Sequence, residues 1–193
     1  MTSTVLHIDT SARRHGSATR ELTDQIVKQN APARIIRRDL ATPLPLITEE
    51  WVNANFTPAD ARSAEQLELL SLSDQLVAEI KDADTIVIGL PMYNFGAPAS
   101  FKVWVDLIAR AGLTFEYSTE GPKGLLTGKR VIVAAATGGV PLGSPTDHLS
   151  GFLRQIMGFI GLTDVEFVAA EGMATDPETA LQAARDAVAN LAA

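Results

Sequence analysis

Three short stretches carry the residue types on which ligand chemistry could be built. The first, Thr10-Ser11-Ala12-Arg13-Arg14-His15-Gly16-Ser17-Ala18-Thr19, gathers hydroxyls, two guanidinium groups and a glycine, and runs straight into a helical pattern. Free amides at a helix start attract an anion by roughly 0.3–1 kcal/mol, so a phosphate suits this loop. It lacks the Lys of a Walker A loop and no GxGxxG occurs in the chain, which favours a terminal monophosphate over a nucleoside triphosphate or a Rossmann-bound dinucleotide. The plainer alternative is a Ser/Thr-rich turn that caps a helix. The second stretch, Pro91-Met92-Tyr93-Asn94-Phe95-Gly96-Ala97-Pro98, sets two aromatics, a Met and an Asn between prolines. A flat heteroaromatic ring suits such a surface, and so does packing under a loop or against a second subunit. The third, Ala136-Thr137-Gly138-Gly139-Val140-Pro141, has paired glycines that let backbone amides approach a ligand, although a simple turn also uses Gly-Gly.

Side chains that catalyse on their own are scarce. No GxSxG elbow is present, and His7, His15 and His148 are scattered without metal-ligand spacing. His7 falls within an apolar run and reads as a packing residue; Asp147, before His148, reads as a helix-capping carboxylate. The chain has no cysteine, which excludes disulfides, thiolate metal sites, Cys-ligated iron–sulfur clusters and thiol nucleophiles. No catalytic side chain and no metal-ligand set is assigned. Loops fit for a phosphate and a flat ring, without acid–base machinery, point to a bound cofactor that carries the reaction.

The elements that must position these loops follow from the pattern. Five β-branched segments, Val5 to Ile8, Arg34 to Leu40, Thr85 to Leu90, Arg130 to Ala136 and Asp164 to Ala169, alternate with helical patterns. The helices are marked by Ala18, Leu22 and Ile26; by Leu69, Leu72, Leu76 and Ile80; by Phe101, Val105 and Ile108; and by Leu149, Phe152 or Leu153, Ile156 and Ile160. A fifth opens at Thr175-Asp176-Pro177-Glu178, read as a capping box, and continues through Leu181, Ala184, Val188 and Leu191. Such alternation predicts an α/β protein, a doubly wound five-stranded parallel sheet of flavodoxin-like order 2-1-3-4-5 with helices on both faces. The 193 residues are read as one domain, 1–193. Ligands bind such sheets beyond the carboxyl ends of the strands, which nominates the loops Thr10–Thr19, Pro91–Ala97 and Ala136–Gly143. Two stretches break the alternation. Ala41–Ala61 is a long connection holding Trp51 and Phe56, read as a functional cover or an interface element. Thr114–Leu126 is read as a hairpin turning at Glu120-Gly121-Pro122.

Charge narrows the partners. With 23 acidic against 16 basic residues the formal charge is −7, which argues against nucleic-acid or membrane-surface binding, both of which need a basic field. The first apolar run is too short for a signal-peptide core, and the stretch after Asp84 is interrupted by Pro91, Asn94, Pro98 and Lys102. A cytoplasmic protein is the expectation.

Along essentially its whole length the sequence resembles the FMN-dependent NADH-azoreductases, also described as NADH:quinone oxidoreductases, of flavodoxin-like fold. The markers are the Ser11–Thr19 loop, PMYNF at Pro91–Phe95, ARAGLTFEY at Ala109–Tyr117, the GLLTGK run ending at Lys129, Gly138-Gly139, GFIGLTDVEF at Gly158–Phe167 and AEG at Ala170–Gly172. The resemblance implies that Ser11, Ser17, Ala18 and Thr19 hold the FMN phosphate and ribityl chain. It places the isoalloxazine ring along Met92, Tyr93, Asn94 and Phe95 and against Ala136, Thr137, Gly138 and Gly139. Some family members carry Gln and Ser in place of Ala18 and Thr19, and Ser-Arg-Gly-Gly in place of Ala136–Gly139, so side-chain contacts at Ala18 and Ala136 are lost while backbone donors remain. It further implies a homodimer with Tyr117 and Phe159 lining the substrate pocket. NADH is the implied hydride donor, with NADPH open as a second, and quinones, azo compounds or nitroaromatics are the acceptors in a ping-pong cycle. A flavodoxin-like electron carrier without turnover is the alternative. A weaker one is an esterase or phosphatase using Ser11 with His15.

Overall fold

The computed structural model describes residues 3–191. Five strands, β1 (Thr4–Asp9), β2 (Arg34–Asp39), β3 (Thr85–Pro91), β6 (Arg130–Ala136) and β7 (Asp164–Ala170), form one parallel sheet of order β2-β1-β3-β6-β7. Counting the parallel strands alone, this is the order 2-1-3-4-5. The remaining strands, β4 (Phe115–Ser118) and β5 (Gly121–Gly124), pair antiparallel as a separate hairpin. Its turn lies at Thr119-Glu120, so of the expected Glu120-Gly121-Pro122 corner only Glu120 is in the turn, and Gly121 and Pro122 begin β5.

Alternation along each central strand divides the core in two. Val5, Val87, Ile132, Ala134 and Val168 face α1 (Ala18–Asn30) and α6 (Pro177–Ala189), where Leu22, Ile26, Ala184 and Val188 are buried. Leu6, Ile8, Ile86, Ile88, Val131 and Val133 face the opposite side, where α2 (Glu49–Phe56), α3 (Ala64–Asp82), α4 (Ala99–Ile108) and α5 (Ser150–Ile160) complete the larger core. The central strands are therefore apolar on both faces, as parallel strands under helices must be.

Three local readings change. The buried stripe of α3 is Leu70, Ser73, Leu76, Val77 and Ile80, whereas Leu69 is exposed. At α6 the cap is Asp176, whose carboxylate accepts from the Thr179 amide at 3.1 Å, rather than a Thr175–Glu178 box. The Ala41–Ala61 connection contains α2, capped by Thr48, and a 3-10 turn at Ala59–Ala61. Trp51 of α2 is buried, and the Arg110 guanidinium stands 5.9 Å above its ring. Arg110 in turn donates to Ser73 Oγ at 2.5 Å and pairs with Asp74 at 2.9 Å, and Arg62 Nε donates to the carbonyls of Ala54 and Thr57. These contacts pin the connection to α3 and α4.

Candidate functional site

The carboxyl ends of β1, β3, β6 and β7 open into a cleft of about 580 Å³, within the roughly 300–1,000 Å³ range of cofactor pockets. Its walls are Ser11, Arg13, Gly16, Ser17, Ala18 and Thr19 from the first loop; Pro91, Met92 and Tyr93 from the second; and Ala136, Thr137 and Gly138 from the third. A fourth loop, after β7, adds Met173 and Ala174, and the start of α6 adds Pro177. Sequence reasoning stopped at three loops and missed these residues, although the fifth strand also has a carboxyl end and Gly172-Met173 lies only one residue beyond it.

The first loop ends in α1. Ser17 has extended backbone geometry and its hydroxyl accepts from the Arg20 amide at 3.5 Å, so it sits at the N-cap. The first amides of a helix have no intrahelical acceptor, and those of Ala18 and Thr19 find none among the described residues. Both residues line the cleft. Gly16, at φ +64, supplies the left-handed turn into the cap at a site where a Cβ would strain the backbone.

The second loop is a tight two-residue turn. Tyr93 and Gly96 exchange backbone hydrogen bonds of 2.9 and 3.1 Å, and the residues between them, Asn94 and Phe95, have φ of 48° and 71°. Asn tolerates this region; a bulky Phe does so only when its surroundings hold it there. The Phe95 carbonyl accepts from the His148 amide at 3.0 Å, and the Tyr93 hydroxyl accepts from the Ala12 amide at 3.3 Å, so the turn is tied both to the first loop and to the start of α5.

The third and fourth loops hold one another. Met173 N donates to the Thr137 carbonyl and Ala174 N to that of Gly138, while Thr137 N donates to Ala170 O. The amides of Gly138 and Gly139 have no acceptor among the described residues. Thr137 is 1% exposed, and its hydroxyl has no hydrogen-bond partner there either. Asp147 fixes the far end of this loop, accepting from Gly143 N at 2.7 Å, Leu149 N at 2.8 Å and Ser150 N at 3.0 Å, and from the Ser150 hydroxyl. Burial alone would raise its pKa, but these bonds outweigh burial and hold the carboxyl below its ordinary value.

No carboxylate lines the cleft, and Arg13 does. Donor-rich, acid-free walls suit an anion at one end, and the unpartnered Thr137 hydroxyl with the two glycine amides suits the polar edge of a flat ring at the other. The residues present fit FMN. Of the sequence-nominated residues, Ser11, Ser17, Ala18, Thr19, Met92, Tyr93, Ala136, Thr137 and Gly138 come together at the cleft. Asn94, Phe95 and Gly139 stand in the adjoining turns without lining it. Tyr117, on the hairpin, is 77% exposed and outside the cleft of this chain; Phe159, on α5, is half-buried. Both touch Phe115, at ring-centroid distances of 5.5 and 4.4 Å. His7 is buried with Nδ1 2.9 Å from Arg37, a packing residue as its place in β1 suggests. No group of acidic and histidine side chains able to hold a metal occurs among the described residues, and no described helix is long and apolar enough to cross a membrane.

Comparison with known proteins gives three concordant findings. A family model described as flavodoxin-like fold matches residues 3–193. An FMN-dependent NADH:quinone oxidoreductase 1 of Jannaschia sp. is 56% identical over 189 residues, 98% of each chain. One from Cereibacter sphaeroides is 47% identical over 195 residues, covering 99% of this chain and all of the other. Among solved structures, an azoreductase from Bacillus anthracis superposes with a TM-score of 0.84 at 26% identity, covering 97% of this chain and 95% of that one. An FMN-dependent NADH-azoreductase from the same species, in complex with FMN, gives 0.85 at 25% identity over 96% and 95%.

Proposed function

The chain belongs to the flavodoxin-like family that includes the FMN-dependent NADH:quinone oxidoreductases, and on that premise we propose that it is itself an FMN-dependent NADH:quinone oxidoreductase and azoreductase. The observation that carries the reading is the cleft: four loops at the strand ends supply unpartnered amides and a buried, unpartnered hydroxyl, and no carboxylate lines it. FMN, when bound, supplies the redox-active ring through which reducing equivalents pass from NADH to a quinone or azo compound.

The chain's own residues bind and orient. Ser11, Ser17 and the amides of Ala18 and Thr19 hold the phosphate and ribityl chain. Met92 and Tyr93 form the stacking side, with Asn94 and Phe95 in the turn beside it, and Ala136, Thr137 and Gly138 the polar edge, with Gly139 next to them. Amides aimed at a ring edge stabilise negative charge there without a proton transfer, which agrees with a cleft that offers no general base. Tyr117 and Phe159 serve acceptor binding across a homodimer. Tyr117, Phe95 and, on the α2 side, Leu46 and Phe56 (79% exposed) leave apolar surface that a second copy would cover. Nitroaromatics are further acceptors of the same flat, electron-poor kind, and NADPH is a second donor to be tested beside NADH.

The purified protein should be yellow or take up added FMN, bleach anaerobically with NADH, and regain colour on adding a simple benzoquinone. A chain that neither carries nor takes up FMN would end this reading. A flavin that bleaches but supports no steady-state NADH oxidation with benzoquinone would leave only an electron carrier. The homodimer is checked by sedimentation, where a monomer at assay concentration would remove Tyr117 and Phe159 from the pocket.

A further inference from the structure

Arg20 follows Thr19 directly but does not line the cleft. Its side chain is 16% exposed, and it makes four hydrogen bonds within the protein. Nε donates to the Arg13 carbonyl at 2.8 Å. Nη2 donates to the Ser11 carbonyl at 2.9 Å and to Asp39 Oδ1 at 2.7 Å. Nη1 donates to Asp39 Oδ2 at 3.1 Å and lies 3.3 Å from Asp9 Oδ2. A guanidinium has five N–H donors in a fixed fork; four of them make these hydrogen bonds and Nη1 also faces Asp9 in an ion pair, so the group is turned toward these acceptors rather than toward the cleft. Asp9 and Asp39 also balance its charge, which leaves little net field for an anion in the cleft. What remains is shape. The two carbonyls it grips belong to the loop that supplies Ser11, Arg13, Gly16 and Ser17 to the wall, and a carbonyl held by Arg20 cannot turn its negative end toward a phosphate.

We propose that Arg20 is a positioning residue for the phosphate end of the FMN site: without touching the cofactor, it fixes the Ser11 and Arg13 carbonyls and so keeps the loop's donors facing the phosphate. The inference rests on the reading that FMN occupies the cleft with its phosphate on the first loop. Its signature is selectivity for the phosphate. Riboflavin has the same ring and ribityl chain without that group, so it should be indifferent to Arg20.

The test titrates flavin-free protein with FMN and with riboflavin, following flavin fluorescence, for the unaltered chain, Arg20→Lys and Asp39→Asn. Lysine keeps the charge and can still pair with an aspartate, but one ammonium cannot span both carbonyls. Arg20→Lys is expected to weaken FMN about ten-fold or more, the scale of one charge-assisted hydrogen bond, while riboflavin shifts less than about two-fold. Asp39→Asn removes the guanidinium's charged anchor yet keeps Arg20, and should show the same selectivity at smaller size. FMN affinity fully kept in Arg20→Lys would show that charge alone suffices, and an equal loss of both flavins would show a merely structural staple; either result overturns the inference. If Arg20→Lys does not fold, Asp39→Asn decides by the same ratio. An unaltered chain that binds no FMN would instead defeat the parent reading.

Discussion

At Thr137 burial and bonding disagree: a hydroxyl with 1% exposure makes no hydrogen bond among the described residues, directly on the wall of the cleft. A buried, unpaired hydroxyl costs stability, and a ligand that pairs with it recovers that cost as affinity. Thr137→Val, which keeps the shape, should therefore leave the flavin-free protein as stable or slightly more so in a thermal melt. The same change should weaken FMN by roughly ten-fold, about 1–2 kcal/mol. Lower stability with unchanged FMN affinity would mean that the hydroxyl serves the fold instead. Asp147 makes a pH statement. Its folded pKa is held below the ordinary value, so it contributes stability that is present above the unfolded pKa and lost as pH falls through the folded one. The third loop should loosen below about pH 4, and Asp147→Asn should flatten that acid limb of the melting temperature. Little of this was visible in the sequence. Thr137 stood in a nominated loop, but nothing in Thr137-Gly138-Gly139 says which polar atom lacks a partner. Arg20 gave no signal because its acceptors lie seven to nineteen positions away in the chain. Leu69 and Leu70 could each have begun the buried stripe of α3, since LELLSL is apolar in both registers. Packing chose the register that buries Ser73, whose hydroxyl donates to Leu107 O and accepts from Arg110.

Among the elements, the hairpin is one of the two that the β-α alternation does not demand, and its attachment to the end of α5 is tight. A Cβ on Gly124 would stand 2.0 Å from the Gly161 amide nitrogen and 2.3 Å from its Cα. Gly161, at φ +100, ends α5 in the left-handed conformation, and Leu126 N donates to Ile160 O at 2.9 Å. Backbone meets backbone there, with no flexible side chain to give way. Gly124→Ala should cost roughly 3 kcal/mol, at the upper end of overpacking penalties, and should displace the strand carrying Tyr117. Because the hairpin stands apart from the four loops of the cleft, the expected outcome is a raised KM for quinone with FMN affinity nearly unchanged. A large loss of FMN in a folded Gly124→Ala protein would contradict that separation. The five parallel strands and their helices were legible because apolar runs between helical stripes have few other solutions. The helix inside Ala41–Ala61 was not, because its eight residues are too few for a clear period and its stability comes from Trp51 packing beneath Arg110.

At the scale of the whole molecule, sheet topology and charge act in opposition at the cleft. The order β2-β1-β3-β6-β7 reverses direction between β1 and β3, and the crevice beyond that switch point gathers amides, hydroxyls and Arg13 without a carboxylate. The chain around it carries a formal −7. Arg20 adds little to the local positive field, since Asp9 and Asp39 pair with it. FMN and NADH are anions, so capture rests on short-range donors while the distant field mildly repels. Repulsion from charges more than about 10 Å away is screened near 0.1 M salt, whereas hydrogen bonds in the cleft are not. The KM for NADH should therefore fall, by roughly two-fold, as potassium chloride rises from about 10 to 200 mM. Arg13→Gln should enlarge that salt effect by removing the cation that offsets the field. A KM that instead climbs steeply with salt would show that local cations dominate the encounter, and the −7 would then have no part in substrate capture.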